Sequence, residues 1–324
     1  MRKVIVNLAN KIISGGALEY KEAKELLSQA KEDLSGLLEQ ANRIRSCFRG
    51  NRVHFCSITN AKSGACNQDC KFCAQSAHHN SNVSSYPLIN PDLMLPKAKI
   101  AFENKAERFC LVTSGPNLTD KEIDLICAGI RLIKNSFPGL KLDASLGAIS
   151  KKNAKKLKKA GLTRYNHNLE TSEKFFPKIC TTHTFKQRFL TVKLLKEVGL
   201  EVCSGGIFGL GESDIDRLNL GFSLRDLDVD CIPINLLNPL KGTPLENKKK
   251  ISYEEAFKMI AIFRFIHPQK EIKICGGRQA VLKDKQSKIF FAGADSIILG
   301  DYLTTEGSAP TDDIAMIKRL GLEV

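Results

Sequence analysis

The run Val53-His-Phe-Cys-Ser-Ile-Thr59 is β-branched and aromatic, as a short buried strand requires; Asn60-Ala-Lys-Ser-Gly64 breaks it, and Cys66-Asn-Gln-Asp-Cys70-Lys-Phe-Cys73 follows. Cysteines just past the C-terminal end of a strand sit where parallel α/β folds place their chemistry. Outward from this strand, short apolar runs alternate with amphipathic helical patterns. Strands are predicted over 53–59, 108–114, 141–147, 164–169, 201–208, 231–237, 272–276 and 296–300. Helices are predicted over 91–105, 120–135, 150–160, 184–198, 213–226, 252–266 and 284–292, with a last one over 311–320. This alternation predicts an α/β chain folded as a (β/α)8, TIM-type barrel. Residues 1–49, carrying Tyr20-Lys-Glu-Ala-Lys-Glu-Leu-Leu27 and the run from Leu34 to Ile44, read as an N-terminal helical cap. Residues 50–307 form the barrel and 308–324 a C-terminal helix packed on it. A doubly wound open sheet is the competing arrangement, but no glycine fingerprint for a dinucleotide follows the first strand.

The cysteine spacing is CxxxCxxC. Three thiolates can hold three irons of a cubane cluster and leave the fourth iron open, which makes that iron a reaction site. A structural zinc site is the plainer alternative, but zinc takes four closed ligands, commonly two CxxC or Cys/His pairs. Here only His78 and His79 stand near enough in sequence to supply a fourth. Ordinary free cysteines of a reduced chain are the other alternative.

The chain has 324 residues, 43% hydrophobic and 26% charged, within the ordinary range for a soluble globular protein. No apolar run is long enough to span a membrane, and the basic start Met1-Arg-Lys-Val-Ile-Val-Asn-Leu-Ala-Asn-Lys11 does not read as a signal peptide. Eleven cysteines without such a signal suggest metal or redox work in a reducing, cytoplasmic compartment. The net charge of +14 permits anionic partners. Much of it lies in Lys151-Lys152, Lys155-Lys156 and Lys158-Lys159, around Ala154 and Leu157, which reads as a solvated helix face. No aromatic-interleaved basic stretch of the kind that stacks bases is present, so no nucleic-acid partner is expected.

Several predicted strands carry thiol or polar residues where aliphatics belong: Cys110, Asp143, Asn166 with Asn168 and Glu170 on one face, Cys203, Asn235, and Arg278 closing Cys275-Gly-Gly-Arg. Singly, each has an ordinary reading as a small core thiol, a backbone-mending amide or a surface cation. Jointly they imply a ligand, because each unsatisfied buried polar group costs about 1–3 kcal/mol.

The cysteine loop, with Phe72 between its last two cysteines, resembles the radical S-adenosylmethionine superfamily. Further segments sharpen the resemblance to the biotin synthase family over about residues 50 to 307. They are Ala61-Lys-Ser-Gly-Ala-Cys-Asn-Gln-Asp-Cys-Lys-Phe-Cys-Ala-Gln-Ser76, Tyr165-Asn-His-Asn-Leu-Glu-Thr-Ser172, Val202-Cys-Ser-Gly-Gly-Ile-Phe-Gly-Leu-Gly-Glu212, Ile232-Pro-Ile-Asn-Leu-Leu237, Gly242-Thr-Pro244 and Phe291-Ala-Gly-Ala-Asp-Ser-Ile297.

The resemblance implies that Cys66, Cys70 and Cys73 bind a 4Fe–4S cluster whose open iron chelates S-adenosylmethionine. Glu170 and Arg188 would contact that cofactor, with the Gly205-to-Gly211 turn near its adenosine. Asn168 and Asn235 would hydrogen-bond the ureido ring of dethiobiotin. A second iron–sulfur cluster, 2Fe–2S in the family, would supply sulfur from three strand cysteines and an arginine. By motif these fall on Cys110, Cys203 and Arg278, and on Asp143 where the family has cysteine. Asp143 would ligate through oxygen, or the cluster would take three protein groups, or Cys56 or Cys275 would serve instead. Gln279 stands where the family has glutamate. The implied reaction inserts sulfur between two unactivated carbons of dethiobiotin through 5′-deoxyadenosyl radicals, work that a cofactor must carry. A flavodoxin- or ferredoxin-type reductant and a homodimer are further family expectations. Rival readings are another radical enzyme of the same branch, from a hydrogenase or pyrrolysine pathway, and a basic iron–sulfur sensor of nucleic acid.

Overall fold

Among the described residues, nine parallel strands form one sheet: β1 (His54–Lys62), β2 (Arg108–Thr113), β3 (Lys141–Ser145), β4 (Arg164–Asn166), β5 (Glu201–Cys203), β6 (Gly206–Phe208), β7 (Cys231–Leu236), β8 (Glu271–Ile274) and β9 (Ser296–Ile298). The computed structural model describes residues 2–30 and 32–324. The sheet runs β5-β4-β3-β2-β1-β9-β8-β7-β6 and closes where Cys203 on β5 pairs with Cys231 on β7. β5 and β6 are two halves of one barrel position, so the closed sheet is the predicted eight-fold barrel with helices outside it.

The break between those halves is built for glycine. A side chain at Gly205 would stand 2.0 Å from the Pro233 carbonyl oxygen, and one at Gly206 2.3 Å from that of Glu170. The bare backbone lets Leu169 N and Glu170 N both donate to Gly205 O at 3.0 Å, and Ile207 N to Glu170 O at 2.9 Å. Glu170 is thereby held at φ +70°, left-handed backbone that a non-glycine residue seldom adopts.

The outer helices are α4 (Pro91–Glu103), α5 (Asp120–Ser136), α6 (Lys151–Ala160), α7 (Phe185–Val198), α8 (Asp214–Asp226) and α9 (Tyr253–Ile266), following a cap of α1 (Arg2–Ile13), α2 (Tyr20–Gln29) and α3 (Leu34–Arg49). Capping boxes start α5 at Thr119/Glu122, α7 at Thr184/Gln187 and α8 at Ser213/Asp216, which satisfies N–H groups the helix itself leaves open. α6 buries Ala154 and Leu157 and turns most of its lysines to solvent, as predicted. α1 was not predicted as an element, although Ile5, Leu8, Ala9 and Ile12 recur at helical spacing and are buried. Each of the leucine and isoleucine side chains, fully buried, contributes about 1.5–3 kcal/mol.

The helix predicted over 284–292 is instead two short helices, α10 (Arg278–Leu282) and α11 (Lys288–Phe291), around a single 3-10 turn. Lys283, at φ +48°, interrupts them. A last helix, α12 (Pro310–Arg319), closes the chain. Among the described residues, no helix is long and apolar enough to cross a membrane.

Strand alternation turns one row of side chains inward. At the lower end this row is a layer of ion pairs. Arg108 meets Asp143 at 2.8 Å and Glu201 at 3.1 Å, while Arg164 meets Glu201 at 3.0 Å and Glu271 at 2.8 Å. Burial opposes the charge on Glu271, but Lys273 and Arg164 outweigh it, and its pKa lies well below the carboxylate range. This charged layer closes the barrel from below and leaves the upper interior to the site.

Candidate active site

The cysteine loop is shaped by its own backbone. Gly64 turns at φ +70°, where a side chain would meet Ser85 at 2.7 Å. Cys66 N donates to Gln75 O at 3.1 Å, Ala77 N to Cys66 O at 2.7 Å, and Cys73 N to Cys70 O at 2.9 Å. Cys66, Cys70, Phe72 and Cys73 line the mouth of a cavity of about 700 Å³. His78 and His79 do not complete a zinc set in this arrangement, because their Nε2 atoms bond the carbonyls of Asn67 (3.1 Å) and Cys70 (3.0 Å).

Three thiols converging on one cavity suit iron. Burial pushes the Cys73 thiol up to about 11, a penalty that a bound cation reverses by stabilising the thiolate. Cys70 is raised by its hydrogen bond with Cys180, and Cys180 is lowered by the same bond. Cys70, Cys180 and His183 bring their ligand atoms within 4.8 Å of one another. Nothing in the spacing of the sequence pairs residue 180 with the cysteine loop.

Beside the mouth, Arg188 on α7 donates from Nη1 to Asn168 O at 2.9 Å and from Nε to His183 Nε2 at 2.9 Å, and lies 3.7 Å from Glu170 Oε1. Burial raises the pKa of Glu170 and Arg188 partly offsets it. Asn168 accepts from Gly205 N at 3.2 Å and donates to Glu170 Oε2 at 3.4 Å. Asn235 accepts from Gly276 N at 3.0 Å and donates to Gly206 O at 3.4 Å. All four of these predicted residues line the same cavity as the cysteine loop.

The cavity floor is lined by Cys56, Cys203, Cys275 and Lys273. Cys231 Sγ lies 3.3 Å from Cys203 Sγ, and Cys110 Sγ accepts from Asn166 Nδ2 at 3.2 Å. Asn166 also lines the cavity, and its Oδ1 is buried without a partner, a polar atom that a bound group would satisfy. Burial pushes the Cys56 thiol up to about 11. Lys273 Nζ lies 3.5 Å from Glu271 Oε1, the ionised partner that offsets the burial of its charge.

Two of the residues predicted for the second cluster are elsewhere. Asp143 is fully buried in the ion layer, and Arg108 Nε lies 3.0 Å from each of its carboxylate oxygens. Arg278 is fully buried at the start of α10, donating at 2.9 Å to Asp313 Oδ1 and to Gln286 Oε1. Neither side chain lines the cavity. The floor's cation is Lys273, which the sequence reading missed. Its signal was a charge alternating inward within the apolar strand Glu271-Ile-Lys-Ile274, and Cys231 shares a face with Asn235 by the same period.

A closed parallel barrel with a CxxxCxxC loop past its first strand defines the class: the chain is a radical S-adenosylmethionine protein, and the model of the radical SAM superfamily matches residues 61–221. The Biotin and Thiamin Synthesis associated domain matches residues 233–323. The chain belongs to the biotin synthase family. It is 45% identical to the biotin synthase of Sulfurihydrogenibium sp. (strain YO3AOP1), over 99% of this chain and 96% of that protein. It is also 45% identical to that of Citrifermentans bemidjiense, over 100% of this chain and 98% of that protein. Among solved structures, methylornithine synthase (PylB) superposes with a TM-score of 0.83 at 20% identity, covering 98% of this chain and 96% of that one. The hydrogenase maturase HydG gives 0.85 at 17%, covering 99% and 75%. These two likenesses show the barrel alone.

Proposed function

We propose that this chain inserts sulfur into dethiobiotin to form biotin, with Cys66, Cys70 and Cys73 holding a 4Fe–4S cluster that binds S-adenosylmethionine. One observation carries the reading: a single cavity joins the cysteine loop at its mouth to a floor of strand-borne thiols, so radical initiation and sulfur share one space. When bound, the first cluster supplies the electron that cleaves S-adenosylmethionine and the second supplies the sulfur atom.

The chain's own residues position and shield. Arg188 and Glu170 contact S-adenosylmethionine, with Phe72 beside its site. Asn168 and Asn235 turn toward the cavity and fix the ureido group of dethiobiotin between mouth and floor. The ion layer beneath and the helices around the barrel exclude water and stray hydrogen donors from the carbon radical.

For the second cluster, we take the thiols of Cys110 and Cys203 with further ligands from Cys56, Cys231 and Cys275, and Lys273 as the nearby cation. This replaces Asp143 and Arg278. The donor chemistry supports it: thiolate suits iron–sulfur clusters better than carboxylate, and both displaced residues already have buried ionic partners. Cys110 and Cys203 remain the residues tied to sulfur transfer. The surplus of positive charge, +14, suits an acidic flavodoxin- or ferredoxin-type reductant. Exposed Leu93, Ile100 and Phe102 on α4 offer apolar surface to a homodimer. A reducing cytoplasm suits the free thiols. Residues 1–49 as cap, 50–307 as barrel and 308–324 as closing helix remain the proposed division.

The test is a strictly anaerobic reaction of the reconstituted protein with reductant, S-adenosylmethionine and dethiobiotin, read by mass spectrometry. Biotin together with 5′-deoxyadenosine is the expected result. 5′-Deoxyadenosine alone rejects the sulfur-insertion assignment while keeping the radical initiator.

A further inference from the structure

The role proposed for the cysteine triad leaves one neighbouring thiol unused. Cys180 is buried just after the 3-10 turn Phe176–Lys178, and its Sγ lies 3.7 Å from that of Cys70, a residue 110 positions earlier. Its other polar neighbours are Asp69 Oδ1 at 3.1 Å, Thr182 Oγ1 at 3.5 Å and His183 Nδ1 at 3.1 Å.

Two features hold the pair together without iron. The first is a clamp between the two loops. Lys71 N donates to Ile179 O at 2.9 Å, and Asp69 N donates to Thr182 Oγ1 at 3.2 Å. The Asp69 carboxylate in turn accepts from Thr181 N at 2.9 Å, Thr182 N at 3.2 Å and Thr182 Oγ1 at 2.9 Å, and from the Thr181 hydroxyl. The second is the orientation of His183. Arg188 Nε donates to His183 Nε2, so the ring hydrogen sits on Nδ1, facing Cys180 Sγ and, at 2.7 Å, Gln68 Oε1. That donor holds the sulfur of Cys180 in place beside Cys70, the three ligand atoms lying within 4.8 Å of one another. The close contact between Cys203 and Cys231 differs, since both belong to the floor already described.

We propose that Cys180 is the resolving thiol of Cys70: when oxidation strips iron from the mouth, the two form a reversible disulfide that protects the triad until a dithiol restores it. The inference rests on Cys70 being a cluster ligand. A disulfide needs the sulfurs about 2 Å apart, and the two stand in contact at 3.7 Å. The oxidant is a peroxide. One thiolate of the pair attacks a peroxide oxygen, the O–O bond breaks, and a sulfenic acid and hydroxide result. The second thiolate attacks that sulfur, forming the S–S bond and expelling a second hydroxide. Two thiols thus lose two electrons and two protons, and the peroxide becomes two waters. Without a resolving partner the sulfenic acid goes on to sulfinic acid, which cannot return to a ligand. The new bond also ties the cysteine loop to the segment carrying His183, so reduction restores a loop already shaped for iron.

The experiment exposes anaerobically reconstituted holoenzyme to hydrogen peroxide, blocks free thiols with an alkylating reagent and maps peptides without reduction. The visible absorbance and iron content before exposure report whether the mouth cluster was present, which separates a failure of the cluster assignment from a failure of this inference. The expected product is a peptide joining Cys70 to Cys180, lost on treatment with a dithiol. In Cys180→Ser that peptide is absent, Cys70 accumulates as sulfinic acid, and the iron regained after dithiol treatment falls several-fold below wild type. A disulfide from Cys70 to Cys66 or Cys73, or sulfinic acid at Cys70 of the wild type as abundant as in the variant, overturns the proposal. The wild-type map decides the question even if the variant fails to fold.

Discussion

The mouth and the floor of one cavity hold thiols by opposite means. At the mouth, Cys66, Cys70 and Cys73 lie on a single eight-residue loop, so their spacing in sequence already brings them close, and bonds such as Lys71 N to Ile179 O and Thr181 N to the Asp69 carboxylate tie that loop to the 179–183 segment. At the floor, Cys56 on β1, Cys203 on β5 and Cys275 just past β8 line the cavity, while Cys110 on β2 and Cys231 on β7 stand next to that lining, against Asn166 and Cys203. Their convergence comes from the register of the sheet, in which Ile58 sits beside Cys110 and Cys203 beside Cys231. A loop site tolerates change in the barrel below it. A strand site depends on every layer beneath, and the layer beneath this floor is charged.

The largest effects separate the two thiol sets. Cys70→Ala is expected to reduce 5′-deoxyadenosine formation to background in a single-turnover assay with S-adenosylmethionine and reductant. Cys203→Ala is expected to leave 5′-deoxyadenosine formation and mouth iron in place while biotin falls to background. A variant that lost both products together would merge the two sites into one and break the comparison.

The next effect concerns what lies under the floor. Asp143→Asn removes the partner of a buried arginine, and breaking such a pair costs about 3–5 kcal/mol. Denaturant unfolding should show that loss while iron per chain stays at the wild-type level. A drop in iron with unchanged stability would return Asp143 to the coordination sphere. Lys273→Met acts one layer up. Iron affinity at the second site should fall about 10–100-fold, the usual penalty for removing a group just outside a metal's ligands, with mouth iron unchanged. Equal loss at both sites would count against Lys273 as a feature of the floor.

The smallest effect is one of pH. The carboxyl of Glu271 titrates well below its ordinary value of 4.5 because Lys273 and Arg164 outweigh its burial. A group depressed in the folded state stabilises above its unfolded pKa and loses that contribution as pH falls through the folded one. Glu271→Gln should therefore flatten the fall in stability below pH 4.5 and change little in its slope near neutrality. A wild-type acid profile retained in the variant would assign the acid sensitivity to other carboxylates.

Most of the barrel was legible because strands and outer helices follow local rules. Period-two runs such as Arg108-Phe-Cys-Leu-Val-Thr113 and capping signals such as Thr119 with Glu122 act over a few residues. The break at Ser204-Gly205 was not read, and the strand was predicted unbroken over 201–208, because the contacts that demand its glycines come from Pro233 and Glu170. The partners of Asp143 and Arg278, both expected by motif at the second cluster, were illegible for the same kind of reason. Each lies at an apt position in its own segment, yet Arg108 and Asp313 reach them first.

The sequence by itself determined the alternation of strands and helices, the cysteine loop and the family resemblance that names its cluster and cofactor. A loop of eight residues and a two-residue period need no distant partner to be read. Only the tertiary structure decided which inward residues share a layer, that Lys273 and not Arg278 faces the cavity, and that Cys180 stands against Cys70. Those pairings join positions from tens to more than a hundred residues apart, and closure of the sheet, not local pattern, brings them within reach.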